Sequence, residues 1–184
     1  NKIIATAERL YADRGIEAIS LNEITREAEQ KNKSALSYHF GDKDGLLKAI
    51  IAKHAGSVLE ERTTLIAQLY SADNLNIATL TQAIVYSLAS KLDDENGGRH
   101  YLSIVAQLIS ANRYDLLWEE LDFMTGNKAV MDLYAEFTAD TPEELRMPRL
   151  MQACHMLFHS LAYIAKAVDG KEGVTSLRDN HRIT

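Results

Sequence analysis

An all-α fold is the prediction, and three features of the sequence make it. Proline occurs only twice in 184 residues, while Ala, Leu, Ile, Glu and Lys recur throughout, a mix that favours helix. Apolar residues return every three or four positions along most of the chain. No stretch alternates apolar and polar residues as a half-buried strand would. With 46% apolar and 25% charged residues, the chain has enough to bury and is not of the disordered class.

The elements follow in order. Ile3, Ala7 and Leu10, with Ile4 and Tyr11 beside them, predict a helix to Arg14, and Gly15 suits the position just past its end. The first residue is not methionine and is read as lying inside that helix, with residues missing before it. After a connector over 16–19, Ser20 and Glu23 have the spacing of a capping box. Leu21, Ile24 and Ala28 give the second helix its buried stripe, and 29–31, with no apolar residue, is a turn. Asn32 can cap a third helix over 33–39 that buries Ala35, Leu36 and then Phe40.

Gly41 ends that helix, and Asp42 can cap a fourth carrying Leu46, Leu47, Ile50, Ile51, Val58, Leu65 and Leu69 to about Tyr70. A polar break over 71–74 precedes a helix over 75–92, and 93–98 is an acidic loop. Helices over 100–111, 114–124 (or one helix kinked at Asn112) and 127–138 come next. Pro142 suits the start of a last long helix over 143–168.

Two short helices joined by a tight turn behind a first helix make a helix-turn-helix. A helix that enters the major groove, roughly 12 Å wide, must be slim. Ser34, Ala35 and Ser37 keep the third helix slim, while Lys33 and the hydroxyls of Ser34 and Ser37 can reach base edges. Lys31 and Asn32 precede that helix, and Tyr38 and His39 close it where the chain meets the DNA backbone. Lys43 and the amides at the start of the fourth helix form a site for a phosphate. The net charge of −6 excludes a chain that is basic all over, and residues 1–45 are nearly neutral by count. Any basic face must be made by folding.

Residues 3–51 resemble the DNA-binding head of the TetR/AcrR family of one-component bacterial transcription regulators. The resemblance rests on Ala12-Asp-Arg-Gly15, Ser20-Leu-Asn-Glu-Ile24 and Ala35-Leu-Ser-Tyr-His-Phe-Gly-Asp-Lys-Asp-Gly-Leu-Leu47. It implies that Tyr38, His39 and Lys43 touch the groove and its phosphates while Phe40 packs inward. Two features depart from the family pattern: Glu29-Gln-Lys31 stands where a glycine is usual, in a turn one residue longer, and Ser37 replaces a frequent tyrosine.

The resemblance further implies a head over 1–47, a ligand-binding and dimerisation body over 48–184, and a homodimer on double-stranded operator DNA. A repressor released by a small-molecule effector is the implied function, with the fourth helix as lever. The family's last helix is barely present before Thr184. From the residues themselves, Met151, Leu157, Phe158, Leu161, Ile164, Ala165 and Val168 give the long last helix a wide apolar surface, and Ala153, Ala162 and Ala165 permit close helix approach. His100, Tyr101, Leu108, Trp118, Phe123, Met124, Tyr134, Phe137 and His159 are candidates for an effector pocket. Each has core packing as its plainer role; together they indicate a largely apolar effector with one or two polar groups.

Other chemistry finds little support. His155 and His159 share a helix face, but neither a cysteine nor a carboxylate completes a metal set there. Cys154 forms no disulfide within the chain, being the single cysteine, and it points away from His155, so it is read as a small buried thiol. No histidine follows a glutamate by three positions, and no Walker or Gly-x-Gly-x-x-Gly loop occurs. The expectation is therefore a non-enzyme without cofactor or metal. The competing assignment is a helical bundle that does not bind DNA, either an adaptor or a metal-dependent enzyme. No apolar run is long enough to span a bilayer and no signal peptide is seen, which places the chain in the cytoplasm.

Overall fold

Helix α1 (Lys2–Arg14) begins on a cap: the Asn1 side chain accepts from the Ile3 amide at 3.1 Å. The computed structural model describes residues 1–30, 34–120 and 128–169, apart from the side chains of Ser34, Ala35, Ser37 and residues 118–120. All regular structure among them is helical, as expected. The order is α1, α2 (Leu21–Glu27), α3 (Ser34–Phe40), α4 (Lys43–Ser71), α5 (Ile77–Ala89), a 3-10 turn (Ser90–Leu92), α6 (Gly98–Ser110), α7 (Tyr114–Glu120), α8 (Lys128–Phe137) and α9 (Glu143–Asp169).

Local chemistry explains where these differ from expectation. Only half of the Ser20 capping box forms: Ser20 Oγ accepts from the Glu23 amide at 3.2 Å, while the Glu23 carboxylate turns to Arg14 at 2.6 Å. An ion pair to a neighbouring helix wins over the return bond. Helix α5 starts two residues later than expected because Asn76 and Thr79 form a full capping box there, which leaves Leu75 outside. Helix α9 runs through Pro148 in its second turn. The missing N–H affects one carbonyl near the exposed start of the helix, where water can replace it. Residues 121–124, expected at the end of α7, and Asn127 lie outside the described residues.

Helix α6 is the central element, packed against α1, α4, α7 and α9. One hydrophobic cluster runs without a break from Ala7, Tyr11, Ile24, Leu36 and Leu46 in the first four helices to Tyr101, Ile104 and Leu108 on α6. Burying an aliphatic or aromatic side chain stabilises by about 1.5–3 kcal/mol. The short helices α2 and α3 are thus held by this shared core more than by their own hydrogen bonds. No described helix is long and apolar enough to cross a membrane.

Candidate nucleic-acid interface

Leu36 and Phe40 lie four apart on α3, so both point to the same side. Leu36 is fully buried and Phe40 is partly buried against the core. Their anchoring turns the opposite side outward: Tyr38 is 85% exposed and His39 is exposed beside it. The two rings meet edge to face with centroids 5.3 Å apart, and His39 makes a similar contact with Phe40 at 6.4 Å. A planar, polar-tipped pair is thereby presented at the end of a helix whose inner side is fixed. Lys31, Asn32 and Lys33 lie outside the described residues, as do the side chains of Ser34 and Ser37.

The turn before α3 shows why glycine is favoured there. Glu29 has φ 55°, the left-handed region that costs a side-chain-bearing residue strain. Its carboxylate pairs with Lys2 on α1, and this hydrogen bond holds the Glu29 carboxyl below its usual range. Other acidic groups of this region are also taken up internally: Glu23 by Arg14 at 2.6 Å and Glu27 by Arg9 at 3.9 Å. Pairing on the α1–α2 side lessens the repulsion a nearly neutral segment would otherwise offer to a phosphate chain.

At the start of α4, Asp42 caps the helix by accepting from the Gly45 amide at 2.8 Å. The amides of Lys43 and Asp44 remain at the helix mouth, without the helical partners that later residues have. Lys43 Nζ donates to the Ile16 carbonyl at 3.0 Å, so this ammonium also ties α4 to the α1–α2 connector. A Cβ on Gly45 would lie 1.9 Å from the Phe40 carbonyl oxygen. Helices α3 and α4 can meet this closely only because position 45 lacks a side chain.

Residues 3–50 match the family model described as bacterial regulatory proteins, tetR family. The head is a TetR-family domain. The chain carrying it is a DNA-binding transcriptional regulator, with α2 and α3 as the helix-turn-helix. No curated protein matches the sequence.

The TetR-family head meets the rest of the chain through polar contacts as well as through the shared core. Glu8 on α1 is 1% exposed and accepts from Lys53 Nζ at 2.8 and 3.0 Å. His54 Nε2 lies 2.8 Å from the same carboxylate and, since a carboxylate only accepts, is the nitrogen that donates. Lys53 also donates to the Asn96 carbonyl at 2.7 Å, and the His54 ring stacks on Tyr101 with centroids 4.8 Å apart. Asp94 closes the cluster 3.6 Å from His54 Nδ1; the hydrogen bond from Lys91 is the main cause that holds its carboxyl below the usual range. At the far end of α6, Gln107 accepts from the Ile16 amide and donates to the Tyr11 carbonyl, each at 2.9 Å. Arg113 then reaches Asp44 at 2.8 Å.

None of Glu8, Lys53, His54 and Gln107 was singled out from the sequence. A signal existed for two of them. Glu8 stands on the apolar stripe of α1, and His54 continues the Leu47, Ile50, Ile51, Val58 stripe of α4. Polar residues at core positions need buried partners. Gly45 carried no signal at all, because its role depends on a contact between two helices.

The expected pocket residues that are described occupy several parts of the body. Tyr101 and Leu108 are buried in the core. Burial pushes the Tyr101 phenol up to about 12, and its hydroxyl has no hydrogen-bond partner among the described residues. Tyr134 donates to the Arg146 carbonyl at 2.9 Å and so ties α8 to α9. His100 is half-buried at the start of α6. His159 lies 3.2 Å from Ser110 Oγ and lines an open groove of about 530 Å³ between α6 and α9, with Gln107, Tyr163 and Lys166. The Trp118 side chain, Phe123 and Met124 lie outside the described residues. His155 pairs with the Tyr114 hydroxyl, and among the described residues no cluster of three metal-ligating side chains occurs.

Proposed function

We propose that the chain represses transcription as a homodimer, each head laying α3 in the major groove of double-stranded operator DNA. A small, largely apolar effector bound by the body releases it. The observation that carries this is the outward Tyr38–His39 pair at the end of an α3 whose other side is locked into the core. In this arrangement residues 1–47 form the DNA-binding head and 48–184 the ligand-binding and dimerisation body. Lys33, Ser34 and Ser37 read base edges; Lys31, Asn32, Tyr38, His39 and Lys43 hold the sugar-phosphate backbone, the last beside the free amides of α4.

Two features of the body support the dimer and the release. Helix α9 leaves Leu145, Met156 and Tyr163 exposed along one side on a single subunit, an apolar stripe that a second copy can cover. One head reads only a few base pairs, and a second places its α3 on a half-site about 34 Å away. Helix α4 is continuous over 29 residues, about 43 Å long. A tilt of about 5° at one end would displace the other by roughly 4 Å, more than hydrogen bonds to DNA tolerate.

Single substitutions separate holding from reading. His39→Ala is expected to weaken binding to every duplex several-fold and alike, because it removes a backbone contact. Ser37→Ala is expected to change which duplex is preferred, by about 1–3 kcal/mol at one position. Quantitative selection from a randomised duplex pool measures both. If His39→Ala changes the preferred sequence and Ser37→Ala lowers all affinities equally, the assignment is reversed.

A further inference from the structure

Two separate attachments join the head to α6. Gln107, near its end, holds Tyr11 and Ile16. At its start, the turn containing Asn96 and Gly97 covers the Glu8 carboxylate: Lys53 bridges Glu8 and the Asn96 carbonyl, and a Cβ on Gly97 would fall 2.6 Å from Glu8 Oε2. Gly98 and Gln107 are nine positions apart on the helix, about 14 Å. Two polar attachments at this separation add to the shared core in resisting rotation of the head against α6.

We propose that Glu8 is a positioning residue that sets the angle of the DNA-reading head against the body and thereby the discrimination between operator and other DNA. A carboxylate this deeply buried must keep its partners, since removing one member of a buried charged set leaves the others unpaired. Lys53 and His54 therefore hold Glu8 in one place, and α1 moves only with the Asn96–Gly97 turn. The polar groups that face the carboxylate are Lys53 and His54 from α4 and, through Lys53, the turn before α6; Asp94 and Lys91 form the next ring outward. The inference rests on the proposal that two heads grip one operator, because only then does head angle decide affinity. Operator binding needs both α3 helices in register, while non-specific binding needs only phosphate contacts.

The test compares the wild-type chain with Glu8→Gln, which keeps the shape and removes the charge, and with Lys53→Gln, which spares Glu8. Affinity is measured for the operator selected by the wild-type chain and for random duplex at the same salt. Each variant is expected to bind the operator about ten-fold or more weakly while random duplex changes by less than about two-fold. A variant that merely unfolds loses both in proportion, and far-UV circular dichroism identifies it. Spin labels at Asn22→Cys on α2 and Tyr86→Cys on α5, in a Cys154→Ser background, should show a broadened distance distribution when Glu8→Gln is added. A folded Glu8→Gln chain with an unchanged operator-to-random ratio and an unchanged distribution overturns the proposal. Absence of any operator preference in the wild-type chain would instead overturn the DNA-reading function beneath it.

Discussion

Raising salt from about 50 to 200 mM is expected to lower affinity for operator DNA by roughly two to three orders of magnitude. The chain carries a net charge of −6, so its overall field repels DNA and attraction must come from a local set of groups. Lys31, Lys33 and Lys43 are the basic residues nearest α3, about four to six cations across two heads once the Ile16 bond of Lys43 is discounted. Each neutralised phosphate contributes about −0.9 to the slope of log affinity against log salt, which gives a slope near −4 to −5. The internal pairing of Glu23, Glu27 and Glu29 matters here, because those carboxylates would otherwise cancel the cations. Equilibrium binding at four or five salt concentrations measures the slope. A slope near zero with binding retained would mean that this face does not meet the phosphate chain.

Gly45→Ala should be the most damaging single methyl group that can be added to the head. Helix propensity by itself predicts the opposite, since alanine is favoured over glycine by about 1 kcal/mol inside a helix. Sterics decide the sign. The new Cβ would meet the Phe40 carbonyl oxygen at 1.9 Å, and that oxygen belongs to backbone that cannot rotate away. Relief requires α3 and α4 to separate by more than an ångström, which breaks the Leu36 and Phe40 packing. A net loss of about 2 kcal/mol or more is expected, within the range for overpacked cores plus the forfeited helix gain. Operator affinity should fall further than stability does, because α3 is the element displaced. Gly56→Ala on the same helix is the control: nothing lies within 4 Å of its Cβ, so it should stabilise by about 0.5–1 kcal/mol. Thermal melts of the two variants are expected to shift in opposite directions. Equal shifts would show that the α3–α4 contact is not rigid.

How far the sequence led depends on whether a feature is local. The caps at Ser20, Asp42 and the glycine at 15 were legible because each is set by residues within a turn of one another. The buried stripes of α1, α2 and the first half of α4 were legible because a helix repeats them. The outward Tyr38–His39 pair follows from the same periodicity once Leu36 and Phe40 are assigned inward. The start of α5 was misplaced because the apolar Leu75 suggested helix, whereas Asn76 and Thr79 decide the boundary. What could not be read were contacts between distant segments. Glu8 and Lys53 are 45 positions apart, and Gln107 is 91 positions from Ile16. Nothing in either local pattern says that they meet. Periodicity likewise marks Tyr101 and Leu108 as buried without saying what buries them.

The most direct test of the central claim is amide hydrogen exchange of the whole chain, with and without a selected operator duplex. Slowed exchange is predicted in α2, α3 and the first turn of α4, with little change on the outer faces of α5 and α8. Protection that instead maps to the body while α3 exchanges as in the free chain would contradict the account, because DNA would then be bound by some surface other than the one presenting Tyr38 and His39.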